Sequence, residues 1–190
     1  MTRRSDTTRS RILEAAYELF YRQGFSGVGV DAVAAAAGVT KRTLYYHFDS
    51  KDTLIAAMLD RQHDLALERI ARWARPEVRS PRQAVETLFA GMRDWAAAPG
   101  WRGSGFSRAA MELAGLPGHP ARAAAARHKQ AVEAAIGDVL AASGATDPAL
   151  ARRVAILAEG ALTLALIHGD AAYFDEAASV AVGIVGAASL

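Results

Sequence analysis

The sequence contains no cysteine. That absence excludes a disulfide scaffold, a cysteine nucleophile, an iron–sulfur cluster and a thiolate zinc site, and it fits a reducing compartment. Aromatic residues are sparse, at 7%, and alternating stretches of Val, Ile, Thr and Tyr, which would signal strands, are missing. Long apolar runs are missing too. The two longest lie at 154–167 and 177–190. Glu159 interrupts the first, and the second falls short of the ~20 apolar residues that a spanning helix needs. Residues 1–11 are polar and arginine-rich, with no apolar core behind them as a signal peptide requires. The expected location is therefore cytoplasmic, away from membranes.

Alanine is abundant, with 44 of 190 residues, and it is the best helix former. An all-α chain follows as the expectation. This length fits one or two compact domains, and such a chain buries roughly 70% of its unfolded surface without a metal or disulfide. The formal net charge of +2 hides an asymmetry. Residues 1–51 carry eight Lys/Arg against five Asp/Glu, so +3, and the remainder carries 14 against 15, so −1. A basic N-terminal quarter on a neutral body suits contact with a polyanion, although +3 over fifty residues also arises by chance.

Punctuation divides the chain into nine expected helices. Asp6 or Thr7 caps the first, with Ile12, Leu13, Ala16, Leu19 and Phe20 on one face, and Gly24 ends it. A second, at 30–37, starts after Gly29 and stops at Gly38. Thr40 caps a third, at 41–48. Ser50 caps a long fourth helix, which Pro76 ends. Ser80-Pro81-Arg82-Gln83 is a capping box that opens the fifth. A short helix near 106–114, a long one at 120–142, one from Asp147-Pro148 to about His168 and a last one from Tyr173 or Phe174 complete the set.

Residues 30–48 read VDAVAAAAGVTKRTLYYHF. Two short helices joined by Gly38-Val39-Thr40 have the layout of a helix-turn-helix, whose second helix enters the major groove. Lys41 and Arg42 fall in its first turn, within reach of base edges and phosphates. Thr43, Tyr45, Tyr46 and His47 add hydroxyl and imidazole groups, while Leu44 and Phe48 point inward as anchors. An ordinary amphipathic hairpin, with its Tyr and His packed on the body, fits the same pattern.

Ile12-Leu13-Glu14-Ala15-Ala16, Leu19-Phe20, Gly24-Phe25, Val33-Ala34, Ala37-Gly38-Val39, Thr43-Leu44-Tyr45-Tyr46-His47-Phe48 and Lys51, at their mutual spacing, resemble the N-terminal domain of TetR-family transcriptional regulators over about residues 8–60. The resemblance implies an all-α homodimer with about nine helices. It implies a three-helix DNA-binding domain at 1–52, joined by a long helix to a larger effector-binding and dimerisation domain at 53–190. By position, Lys41 and Arg42 look like base readers. Thr40, Thr43, Tyr45, Tyr46 and His47 look like phosphate or base contacts, and Lys51 like a phosphate clamp. Arg42 stands where the family often has a small residue; it offers guanine a bidentate contact or simply binds phosphate. Gly29 and Asp31 depart from the usual Thr/Ser cap and polar or basic neighbour, so base contacts from the second helix lose support. Arg3 and Arg4 are expected to precede the first helix as a flexible basic arm or an idle terminus.

The larger part is less explicit. Residues 103–122 look like a segment in one branch of the family that often has cysteine where Ser104 stands, so thiol sensing by that route is excluded. An effector pocket should be mostly apolar with a few polar groups. Phe89, Met92, Trp95, Phe106, Met111, Val132 and Leu162, with His128 as the polar member, are its candidates, and plain core packing is the alternative for each. No H-x-x-x-H pair, G-x-S-x-G elbow, P-loop or dinucleotide fingerprint occurs, so neither a metal, a cofactor nor an enzyme is expected. Val180, Ile184 and Val185 on an almost wholly apolar last helix, with Val154, Leu157, Ala161, Leu164 and Ala165 before it, suggest a twofold four-helix interface; burial within one subunit is the alternative.

The reading is a ligand-responsive homodimeric repressor, released from a palindromic double-stranded operator by a small apolar or aromatic effector. Its rivals are a nonspecific architectural DNA-binding protein and a helical small-molecule binder with a vestigial DNA module.

Overall fold

The computed structural model describes residues 3–73 and 80–187. Nine helices and no strand occur among them: α1 Arg3–Gln23, α2 Val30–Ala36, α3 Lys41–His47, α4 Lys51–Trp73, α5 Pro81–Ala96, α6 Gly105–Glu112, α7 Pro120–Ala142, α8 Ala149–His168 and α9 Ala172–Ala187. The expected helix order holds, but α1 begins earlier than expected. No breaker interrupts residues 3–6, and Asp6 lies in the first turn, where a carboxylate favours the helix dipole. Arg3 and Arg4 are therefore helical rather than a free arm. Pro76, the expected end of α4, lies outside the described residues.

Two compact units form. The first combines residues 3–64 with 105–128. Its core takes Ile12, Leu13, Ala16 and Phe20 from α1, Val33 and Ala34 from α2, and Leu44 from α3. Leu54, Ile55, Met58 and Leu59 of α4, Phe106 and Ala109 of α6, and Ala121, Ala124 and Ala125 of α7 complete it. The grouping differs from a division at 52/53, because α4 spends its first apolar turns on the same core as α1–α3.

The second unit comprises 65–104 and 129–190 within the described range. Ser80 starts α5 as expected: its hydroxyl accepts from the Gln83 amide at 3.3 Å, with proline at the first helical position. Val85, Leu88, Phe89 and Met92 of α5 pack with Leu150, Val154, Ala158 and Ala161 of α8 and Phe174, Ala181 and Val185 of α9. Ile70 of α4 and Ile136 and Leu140 of α7 join them. No helix among the described residues is long and apolar enough to cross a membrane.

Candidate nucleic-acid interface

The geometry of α2 and α3 is set by a short turn with three supports. Gly38 adopts φ +62°, a left-handed conformation that favours glycine. The Gly38 and Val39 amides donate to the Ala35 and Ala34 carbonyls, both at 3.0 Å, and close the end of α2. Arg11 of α1 adds the third support, donating from Nη2 to the carbonyls of Ala37 at 2.5 Å and Gly38 at 3.2 Å. It satisfies acceptors that a helix C-terminus leaves unpaired.

Thr40 caps α3 as expected, its hydroxyl accepting from the Thr43 amide at 3.1 Å. The two threonine hydroxyls are also hydrogen-bonded, at 2.9 Å. Leu44 is fully buried and Phe48 nearly so, so both anchors face inward. Burying a leucine contributes ~1.5–3 kcal/mol, enough to fix which face of this short helix points outward. The outward face carries Lys41, Arg42, Tyr45 and Tyr46, with Tyr46 81% exposed. Arg42 forms no ion pair among the described residues. Thr43 and His47 are half-buried, and the His47 ring stands edge-on to Tyr46 with centroids 5.2 Å apart.

Lys41 is tied to Asp31 of α2 at 3.0 Å. The Asp31 carboxylate, through its hydrogen bond and its charge, holds the lysine above its ordinary pKa. Both side chains are more than half exposed, so the pair contributes little to stability. Asp31, an irregularity in sequence, thus joins the two helices at their N-termini. Lys51 opens α4 and holds its ammonium 5.9 Å from the centre of the Phe20 ring. Ser50 and Thr53 cap that helix reciprocally: the Thr53 amide donates to Ser50 Oγ at 3.1 Å and the Ser50 amide to Thr53 Oγ1 at 2.9 Å.

A second brace holds the chain ahead of α2. Glu112 of α6 accepts from the Phe25 and Ser26 amides at 2.7 and 3.4 Å. Arg108 donates to Glu112 at 2.5 Å and to the Tyr21 carbonyl at 2.9 Å. Burial opposes ionisation of Glu112, but Arg108 and the two amides outweigh it and hold the carboxyl below its ordinary value. Sequence inspection missed Arg11, Arg108 and Glu112, because the backbone groups they hold lie 26 to 87 residues away.

The effector candidates divide between the two units. Phe89, Met92, Trp95, Val132 and Leu162 belong to the second unit, whereas Phe106, Met111 and His128 belong to the first. His128 is buried, stacked on Phe106 with centroids 3.5 Å apart and hydrogen-bonded to His63 at 3.1 Å. Met111 is 68% exposed. A small cavity bounded by Ile70, Ala84, Val85, Leu88, Ile136, Val139 and Leu140 has room for about one water; none of the candidates lines it. Of the interface candidates, Val154, Ala161, Ala165 and Val185 are buried within their own unit. Leu157, Leu164, Val180 and Ile184 keep exposed surface, as do the unanticipated Ile156, Leu166 and Ile167.

Anchors turned in, a capped second helix and an outward row of cationic and hydroxyl side chains define a helix-turn-helix DNA-binding module. Residues 12–58 match the family profile described as bacterial regulatory proteins, tetR family. The structure of SCO4454, a TetR-family transcriptional regulator from Streptomyces coelicolor, superposes with a TM-score of 0.82 at 30% identity. That superposition covers 94% of this chain and 95% of that one. The chain belongs to the TetR family of transcriptional regulators, which are transcription factors rather than enzymes. The HTH-type transcriptional regulator SrpR of Pseudomonas putida is 43% identical over 65 residues, which cover 34% of this chain and 30% of that regulator. The chain thus spans under a third of that relative's length. Reduced NemR of Escherichia coli shares the fold alone, with a TM-score of 0.83 at 21% identity, covering 94% of this chain and 98% of that one.

Proposed function

We propose that the protein is a homodimeric repressor that binds a palindromic operator through α3 and leaves it when a small effector occupies the second unit. The exposed row Arg42, Tyr45 and Tyr46, fixed outward by Leu44 and Phe48, carries the DNA part of this reading. Arg42 in the first turn is placed for a guanine edge, Lys41 exchanges Asp31 for a phosphate, and Thr40, Thr43, Tyr46, His47 and Lys51 take backbone contacts.

Self-association is supported by the outer faces of α8 and α9. Ile156, Gly160, Leu164 and Ile167 follow helical spacing and remain exposed, and Val180 and Gly183 continue the apolar surface on α9. A twofold axis would pair this patch with itself and bring two α3 helices to half-sites about one turn (~34–36 Å) or a related distance apart. An effector that binds better to a DNA-incompetent spacing shifts the population by its difference in affinity, typically ~1–3 kcal/mol.

Incubation with randomised duplex DNA at near-physiological salt, followed by sequencing of the retained pool, tests the reading. Enrichment of an inverted repeat is the expected result. Retention without enrichment, with steep salt dependence, would replace it with the architectural reading.

A further inference from the structure

The chain has three tryptophans, Trp73, Trp95 and Trp101, and all lie in the second unit. Trp73 at the end of α4 packs over Gly91 of α5. Trp95 of α5 meets Trp101 edge to face, with centroids 5.9 Å apart and planes at 84°. The Arg69 guanidinium of α4 lies 4.6 Å from the centre of the Trp95 ring. An aromatic wall with a cation on it therefore forms where α4, α5 and the loop after α5 meet.

One buried side-chain polar atom among the described residues has no hydrogen-bond partner, and it is Trp101 Nε1. An indole N–H is a donor only, and a buried donor without an acceptor is destabilising. The loop that carries it is well packed. The Trp101 amide donates to the Ala98 carbonyl at 3.1 Å. Gly103, at φ +79°, approaches Leu166 of α8 so closely that a Cβ there would stand 2.8 Å from Leu166 Cδ2. Ser104 Oγ accepts from Lys129 at 3.2 Å, and Lys129 is paired with Glu159. The orphan donor is held in place on both sides.

We propose that Trp101 Nε1 is the polar anchor of an effector site in this unit, and that the site takes a planar aromatic carboxylate. The proposal rests on the ligand-responsive reading above. The indole N–H donates to a carboxylate oxygen, Arg69 supplies the opposite charge, and the flat body stacks against the rings of Trp95 and Trp101. An amine would set donor against donor beside a cation, and an aliphatic acid would forgo the ring contacts. The small cavity bounded by α4, α5 and α7, at Ile70, Leu88 and Ile136, is lined by none of the tryptophans and has space for about one water. Seating a ring beside Trp101 therefore requires the side chains packed there to part, and that displacement makes binding state-dependent.

The tryptophans report on the site directly. The full-length protein is titrated with 4-methylbenzoate while tryptophan is excited, with 4-methylbenzyl alcohol as the uncharged match and calorimetry in parallel. A saturable emission change is expected, with the alcohol at least about tenfold weaker and Trp101→Phe weakening the carboxylate about tenfold or more. Trp101→Phe keeps an aromatic ring and removes the donor together with part of the indole's packing on Trp95, so ligand affinity rather than Tm is its readout. A flat titration, or equal affinity in Trp101→Phe, would each overturn the assignment. Operator selection on the same protein separates the two readings. An enriched repeat with a flat titration removes this site alone, whereas tight carboxylate binding without an operator removes the DNA reading alone.

Discussion

Glu112→Gln tests the brace between α6 and the chain ahead of α2. In the parent, one carboxylate gathers three donors: the Phe25 amide at 2.7 Å, the Ser26 amide at 3.4 Å and Arg108 at 2.5 Å. Hydrogen bonds to a charged group contribute ~1.5–3 kcal/mol each when buried. Here a quarter of the glutamate side chain and a third of the arginine remain exposed, and solvent screening discounts the figure. Glutamine keeps an acceptor for the amides but loses the charge facing Arg108. The expected loss is about 1–2 kcal/mol, or roughly 2–8 °C in Tm for a chain of this size. The pH dependence supplies the sharper test. Because the folded pKa of Glu112 is depressed, its contribution is complete above the unfolded value and is lost as pH falls through the folded one. Thermal melts from neutral pH into acid should therefore show the parent converging on Glu112→Gln, with the gap open at neutral pH. An equal Tm at neutral pH, or a gap that persists in acid, would refute the reasoning.

Leu44→Ala should cost ~2–5 kcal/mol and weaken operator binding, read by urea denaturation and DNA titration. Thr40→Ala, which removes the cap of α3, should cost about 1 kcal/mol with only a modest Tm change. Arg42→Ala should relax selection at one base pair in each half-site, worth ~1–3 kcal/mol; a uniform loss on all sequences with a salt slope lower by ~0.9 would reassign it to phosphate. Ile156→Glu combined with Ile167→Glu should shift the protein toward monomer in sedimentation, and an unchanged association constant would remove α8 from the interface.

Local signals explain how much was legible in sequence. Gly38, Thr40 and the Leu44/Phe48 pair lie within eleven residues, so turn, cap and facing of α3 could all be read from spacing. Ser80-Pro81 marked the start of α5 for the same reason. The Arg11 and Glu112 contacts were invisible because they join positions distant in sequence, and a surface arginine has no pattern of its own. On α8 and α9 the difficulty was different. Alanine, glycine and valine occupy both faces, so composition could not separate Val154, Ala161, Ala165 and Val185, which are buried in the unit, from Ile156 and Ile167, which are exposed. The division into two cores was not legible because α4 and α7 each supply residues to both, and no breaker marks the change along either helix.

The first unit is assembled from two separated stretches of chain, 3–64 and 105–128. This matters to anyone building hybrid regulators by gene fusion. A graft cut after residue 52 would transplant the reading helix without Leu54, Ile55, Met58 and Leu59, and without the Phe106, Ala109 and Glu112 that close the same core and brace. The recipient would have to offer surfaces of the same shape at those places. Swapping operator specificity is therefore better done by exchanging the outward side chains of α3 than by splicing at the apparent end of the DNA-binding segment.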